Sequence, residues 1–303
     1  MKIGSSVLRK DVLLKEFTTF RIGGPARFLA EPANVDELWS LCTMAREEGW
    51  PLLLLGRGSN LLVGDGGFPG LVVLTRALRK VNIKGDRIWA QSGASLATLA
   101  VLAQEAGLSG LEALGGIPGT LGGGLVMNAG AFGRFLGDLV EEVEILTDGK
   151  VEVLAGDELD WGYRRSGLVG KLVVGATLRL AYGEKDNISR EMAFFNRRRR
   201  ESQPLNEPSA GSVFKNPTGE AAGRLIEMAG LKGFRVGDAM VSRLHANFII
   251  NMGKAKAKDV VELIRIIKGA VEKTFSVSLE EEIIYAGVFE EDEDSFTPRG
   301  GLI

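Results

Sequence analysis

Only one cysteine, Cys42, and one histidine, His245, stand in the 303 residues of this chain. A disulfide within the chain is excluded. A Cys/His zinc site or a cysteine–histidine catalytic pair lacks the residues that such sites use. There is no basic excess: the net charge is −2, which argues against a nucleic-acid binder. No apolar run reaches the ~18 residues of a membrane helix, so no membrane insertion is expected. The start, Met1-Lys2-Ile3-Gly4, lacks the apolar core of a signal peptide, and a cytoplasmic chain is expected. No Gly-Lys-Ser/Thr occurs, so a Walker A loop is absent. Chemistry in such a chain falls to carboxylates, Arg, Lys, Ser or Tyr, or to a bound cofactor.

What the chain has instead is glycine. Between Gly115 and Gly133 it reads Gly-Gly-Ile-Pro-Gly-Thr-Leu-Gly-Gly-Gly-Leu-Val-Met-Asn-Ala-Gly-Ala-Phe-Gly. Ordered glycine costs conformational entropy, and its use is bare backbone that can approach a large ligand and aim N–H groups at phosphate oxygens. Ile117, Leu121, Val126 and Met127 interrupt the run, so it reads as packed chain rather than flexible linker. A second loop, Gly56-Arg57-Gly58-Ser59-Asn60, follows the apolar stretch Leu52–Leu55. A Rossmann loop would lead into a helix, with an acidic residue ~20 positions on. Here Leu61-Leu62-Val63-Gly64 is not helical, and Thr75 and Arg76 stand near the acidic position. One such loop could be a tight turn. Two suit a diphosphate with two large ends, such as FAD.

With 45% hydrophobic and 25% charged residues, the chain reads as a globular protein of about two domains. Asn34–Glu48 has helical apolar spacing, with Asn34 as N-cap and Gly49 as stop. Ser95–Ala106, Ser189–Arg200, Thr218–Ala229 and Lys258–Thr274 are expected helices. Leu71–Leu74, Lys171–Tyr182, Ala246–Ile250 and Ile283–Phe289 are expected strands. Hairpins are expected at Lys84-Gly85-Asp86 and Asp148-Gly149. Hairpins mixed with helices predict an α+β fold with antiparallel pairs rather than a regular βαβ repeat. The polar stretch Gly183–Asn187 suggests a boundary, giving domains 1–186 and 187–290, with 291–303 as a loose tail.

Several segments, in order, resemble one family. They are Thr19-Phe20-Arg21-Ile22-Gly23-Gly24, Leu55–Leu62, Gly116–Thr120, Met127-Asn128-Ala129-Gly130, Tyr163-Arg164-Arg165-Ser166, Pro208–Pro217, His245–Asn251 and Leu279–Ile283. Together they are similar to the UDP-N-acetylenolpyruvoylglucosamine reductases, flavoenzymes that make UDP-N-acetylmuramate for bacterial peptidoglycan. The resemblance implies a vanillyl-alcohol-oxidase-type FAD-binding domain of two α+β subdomains, followed by a smaller α+β substrate-binding domain. It implies noncovalent FAD, NADPH as hydride donor and a UDP-sugar enolpyruvyl ether as substrate. FAD contacts are expected at Gly56, Arg57, Gly58, Ser59, Asn60, Gly115, Gly116, Ile117, Pro118, Gly119, Thr120, Gly122, Gly123, Asn128, Ala129 and Val174. Substrate contacts are expected at Tyr163, Lys215 and Asn216.

The resemblance also implies that Arg164, Ser212 and Glu282 are catalytic. In the family, hydride passes from NADPH to FAD, then from flavin N5 to the enolpyruvyl methylene, and the adjacent carbon takes a proton. Hydride addition builds negative charge on the conjugated carboxylate, where an always-charged, forked guanidinium suits Arg164. Glu282 can help only if it is protonated or held as a hydrogen-bonded partner. Ser212 would give the proton, with Lys215 assisting electrostatically. Glu280 and Glu281 compete with Glu282, and Arg165 with Arg164. Arg197–Arg200 looks like a phosphate or nucleic-acid patch, though such a run is more often the solvated end of a helix and that reading is favoured; His245 reads as structural and Cys42 as core. The chain departs from the family at Gly124, usually Ala, and Phe132, often Tyr. It also lacks an inserted loop carrying a substrate-binding Tyr, as in a shorter subgroup. Two other readings remain at this point. One is an FAD oxidase acting on an alcohol or hydroxy acid, which has no need for the Ser212 motif. The other is a nucleotide-binding regulatory module without catalysis, which has no need for Arg164, Ser212 and Glu282.

Overall fold

The computed structural model describes residues 2–289, so the expected tail at 291–303 lies outside the described residues. Local signals in the sequence build most elements. Helix α1, Val35–Glu47, starts where Asn34 Oδ1 accepts the Glu37 N–H, and it buries Leu38, Leu41, Cys42 and Ala45 on one face. Helix α2, Leu96–Ala106, is capped by Ser95 and ended by Gly107 in the left-handed region. The two expected hairpins form at Val81–Lys84/Arg87–Gln91 and Val140–Thr147/Lys150–Ala155.

Three sheets carry the fold. The first has the order Arg9–Leu13, Pro25–Ala30, Phe68–Leu74, Leu52–Leu55. Its last two pairings are parallel. Sequence reading anticipated antiparallel pairs, but α1 is a crossover, which a parallel pair needs. The second sheet is antiparallel, with Val173–Arg179 at its centre between the two hairpins. The third is antiparallel, in the order Ser209–Ser212, Phe248–Asn251, Ala239–Val241, Arg235–Val236. The architecture is α+β.

Helix α3, Leu121–Val126, is six residues of the glycine run. A helix was not expected here; Gly122 and Gly124 pack closely on Ser92 and Leu136, while Gly123 faces open space. A Cβ on Gly122 would stand 2.8 Å from Ser92 Cβ. Helix α4, Lys185–Ser202, begins before the expected Ser189 and contains the expected 186/187 boundary. Helix α5, Ala222–Met228, starts later than Thr218 because Asn216 Oδ1 takes the Ala222 N–H after a turn through Gly219. Helix α6, Ala257–Phe275, has Val260, Leu263, Ile264, Ile267 and Val271 on its buried face.

The two halves are sewn together. Phe20, Ile22 and Leu62 sit in the same core as α5 and α6. The Asp65 carboxylate accepts the Ala257 and Lys258 N–H groups at the start of α6. The last described strand, Ile284–Ala286, returns to pair in parallel with Leu61–Val63, just after the first glycine loop.

Glu37 ties the N-terminal segment to α1. Its carboxylate accepts from Ser5 N–H, Ser5 Oγ, Ser6 Oγ and Ala33 N–H, which hold its pKa down from 4.5 to about 2. A carboxylate depressed on folding strengthens the fold above its unfolded value and loses that contribution as pH falls through the folded one. The clamp should therefore be whole above pH 4.5 and open toward pH 2. The Ser5 and Ala33 amide shifts, followed by NMR, are expected to titrate together near pH 2. A midpoint at the ordinary carboxylate value would show that the clamp does not operate.

Candidate active site

A cleft of about 820 Å³ opens between the first and third sheets, with the glycine run and the end of α4 on its other sides. Both glycine loops form its walls. Gly56, Arg57, Gly58, Ser59 and Asn60 line it, as do Gly116, Ile117, Pro118, Gly119, Thr120, Gly123 and Ala129. The loops touch each other: a Cβ on Gly56 would stand 2.4 Å from Thr120 Oγ1. Gly123 faces the cleft with nothing nearer its absent Cβ than Thr120 Oγ1 at 3.6 Å. The cleft's charged residues are Arg21, Arg57, Arg164 and Arg199 against Glu207 and Glu282. A large, part-apolar cleft with bare backbone and surplus guanidinium charge fits a dinucleotide with its pyrophosphate.

Four expected cofactor residues stand behind these walls. Gly115 packs on α2, where a Cβ would meet Ala100 Cβ at 2.6 Å. Gly122 docks on Ser92, donating its N–H to the Ser92 carbonyl, while the Val174 carbonyl accepts the Ser92 N–H. Asn128, buried and at φ 41°, is a bracket. Its Nδ2 donates to the Gly162 carbonyl and its Oδ1 accepts the Gly137 N–H, both at 2.9 Å.

Arg164, Ser212 and Glu282 all line the cleft. Arg164 sits at φ 58° in the Gly162–Arg165 turn, a left-handed conformation disfavoured for a side-chain-bearing residue. Its Nε meets Glu282 Oε1 at 2.5 Å, with both side chains largely buried. Glu282 is placed by backbone: its N–H donates to the Val213 carbonyl, and the Lys215 N–H donates to the Glu280 carbonyl. Along this short ladder successive side chains diverge. Glu280 pairs with Lys215 and Glu281 with Lys268, leaving Glu282 for Arg164. Arg165 points outward to Asp160. Burial pushes the Glu282 pKa up, while Arg164 and then Lys215 pull against that rise.

Ser212 ends a strand interrupted by a bulge, with Gly211 at φ 78°. Thr19 Oγ1 donates to the Ser209 carbonyl and so moors this strand beside the Gly56–Asn60 loop. Asn60 has a second duty that sequence reading missed. Its Nδ2 donates to the Glu282 carbonyl and its own carbonyl accepts the Ile284 N–H. The cofactor loop thereby positions the acidic residue.

Tyr163, Lys215 and Asn216 do not line the cleft; they cluster beside it. The Tyr163 ring lies 5.0 Å from the Arg164 guanidinium, and its Oη accepts the Asn216 N–H at 3.4 Å. Phe132 stands at the cleft wall against Phe195, with ring centroids 5.0 Å apart. His245 is half-buried, with Nδ1 accepting the Asn247 N–H and burial pushing its pKa down. Cys42 is buried in the first sheet's core, its thiol pushed up to about 12. Among the described residues no cluster of metal-ligating side chains occurs, and no helix is long and apolar enough to cross a membrane.

One expectation is corrected. Arg197, Arg198 and Arg200 are exposed, but Arg199 is buried and lines the cleft. The signal was present: Ile188, Met192, Phe195 and Arg199 follow 4-3-4 spacing along the inner stripe of α4.

Fold and site together define a flavin-dependent oxidoreductase. Residues 26–155 match the model of an FAD binding domain, and residues 203–286 match that of the UDP-N-acetylenolpyruvoylglucosamine reductase C-terminal domain. The UDP-N-acetylenolpyruvoylglucosamine reductase of Moorella thermoacetica is 50% identical over 272 residues, covering 89% of this chain and 90% of that protein. The one from Caldanaerobacter subterraneus subsp. tengcongensis is 46% identical, covering 90% of this chain and 92% of that protein. The crystal structure of the Thermus caldophilus enzyme superposes with a TM-score of 0.81 at 43% identity, covering 92% of this chain and all of that one. The chain belongs to the UDP-N-acetylenolpyruvoylglucosamine reductase family, and its cofactor is FAD.

The Asn128 bracket joins the glycine run to the Arg164 turn. Asn128→Ala should strand the Gly137 N–H and take one of two donors from the Gly162 carbonyl, costing roughly 1–3 kcal/mol in urea unfolding. A loss below about 1 kcal/mol would show that the bracket is not needed.

Proposed function

We propose that this chain reduces the enolpyruvyl group of UDP-N-acetylenolpyruvoylglucosamine, giving UDP-N-acetylmuramate, with NADPH as the hydride source. Bound FAD supplies the hydride relay between NADPH and the enolpyruvyl methylene; the remaining work falls to side chains. The observation that carries this reading is the buried Arg164–Glu282 pair in a cleft shared with Ser212 and both glycine loops.

Glu282 engages Arg164 through Nε, so the guanidinium is oriented with its terminal nitrogens available to the substrate carboxylate. Negative charge grows on that carboxylate as the methylene carbon is reduced, and a fixed cation stabilises it. The Ser212 hydroxyl donates its proton to the adjacent carbon; an enolate is a strong enough base to take it. Lys215 sits beside this pair and adds positive potential. Tyr163 and Asn216 extend the surface toward the UDP portion, while the Gly56–Asn60 and Gly116–Thr120 loops, Gly123 and Ala129 hold FAD. Gly115, Gly122, Asn128 and Val174 support those walls from behind.

Ser212→Ala is expected to leave NADPH-dependent bleaching of the flavin intact in stopped-flow absorbance. Substrate-dependent recovery of colour should slow about 10²–10⁴-fold. Unchanged recovery would remove Ser212 from the proton-donor role.

The pH dependence tests Glu282. The neutral acid does not repel the substrate carboxylate, and burial favours it. The rate of substrate reduction should therefore fall as pH rises through the raised Glu282 pKa. Glu282→Gln should flatten that alkaline limb. A limb that persists in the glutamine variant would assign the titration to another group.

A further inference from the structure

Arg199 is a buried cation without a carboxylate. The residue is 8% exposed and its side chain lies over the glycine run, where a Cβ on Gly116 would meet Arg199 Cδ and Nε at 3.3 Å. The Nη1 group donates to the Gly116 carbonyl, while Nε has no hydrogen-bond partner. Of the two acidic residues in the cleft, Glu282 is engaged by Arg164 and Glu207 is exposed. Burial pulls the guanidinium pKa down, yet arginine does not shed its proton in proteins. A buried charge in this position calls for an anion from outside the chain.

We infer that Arg199 is the counter-cation of the FAD pyrophosphate, and that the flavin-free chain carries this charge uncompensated. The inference rests on FAD being the cofactor and adds the residue that holds its charge. The pyrophosphate carries the formal negative charge of FAD. The contact to Gly116 places Arg199 on the glycine run, whereas Arg164 stands on the opposite side of the cleft beside Glu282 and serves the substrate's anionic group. Arg57, exposed at the tip of the opposite glycine loop, supplies a second cation to the same cleft. The helical stripe explains how a charge came to be inside. Arg199 continues the inward face of Ile188, Met192 and Phe195, where an apolar side chain would complete the packing.

The test uses the full-length chain, stripped of flavin, as wild type, Arg199→Met and Arg199→Lys. Affinities for FAD and riboflavin are read by flavin fluorescence. Melting temperatures are read with and without inorganic pyrophosphate. Arg199→Met should weaken FAD binding about 30-fold or more, the usual scale for truncating one member of a buried charge pair, and leave riboflavin affinity unchanged. Arg199→Lys should fall between the two. Pyrophosphate should raise the melting temperature of the flavin-free wild type but not of Arg199→Met. Without flavin, Arg199→Met should melt no lower than wild type.

Equal losses for FAD and riboflavin would place the guanidinium on the flavin ring and overturn the inference. So would unchanged FAD affinity, or loss of UDP affinity instead. If Arg199→Met does not fold, the wild-type pyrophosphate shift and Arg199→Lys decide: no shift, with FAD affinity intact in the lysine variant beside an unfolded methionine variant, would make Arg199 a packing residue. Failure of the wild type itself to bind FAD would fault the cofactor assignment rather than Arg199.

Discussion

The Arg164–Glu282 hydrogen bond is the contact on which the site depends, and it joins residues 118 positions apart. A guanidinium and a carboxyl group as enclosed as these are costly to bring out of water, and removing either strands the buried polar atoms of the other. The surrounding fold is arranged to hold them together. Arg164 is fixed in a left-handed turn tied through Asn128 to the glycine run. Glu282 is fixed by Val213 on one side and by Asn60 on the other. The same chain then enters Ile284–Ala286, which completes pairing with the strand behind the first glycine loop.

This arrangement makes the division between cofactor and substrate regions less sharp than a linear view suggests. Phe20, Ile22 and Leu62 belong to the core of the C-terminal sheet and helices. Asn60 belongs to the cofactor wall and also holds the carbonyl of the proposed catalytic glutamate. The first glycine loop and the Glu282 backbone are therefore joined directly. Glycine serves two purposes here: Gly123 leaves space toward the cleft, while Gly122 allows α3 to pack on Ser92. Both needs produce the same residue type in the same run.

Local features were readable because they are decided within a few residues. Asn34 and Ser95 cap their helices, Gly107 ends one, and Asp148-Gly149 turns a hairpin. The glycine loops and the Ser212 segment carried the family resemblance together with the motifs around Phe20, Arg164, His245 and Glu282. The parallel pairs of the first sheet were missed because pairing partners are set by the crossover and not by the strands themselves. Helix α3 was missed because propensity disfavours glycine in a helix, and tertiary packing overrode it. The favoured reading of Arg197–Arg200 as solvated failed at Arg199 alone, whose helical spacing marked the inward face.

By itself, the amino-acid sequence determined which chemistry was available: arginine, carboxylate and serine with bare backbone loops, and almost no cysteine or histidine. It also determined the α+β elements through caps, turns and apolar periodicity. Only the tertiary structure decided which of several like neighbours face the cleft: Arg164 and not Arg165, Glu282 and not Glu280 or Glu281, Arg199 and not the arginines beside it. Adjacent residues share composition and local propensity. Their burial and their partners come from distant segments, and burial and charge pairing are what turn an ordinary arginine or glutamate into part of a site.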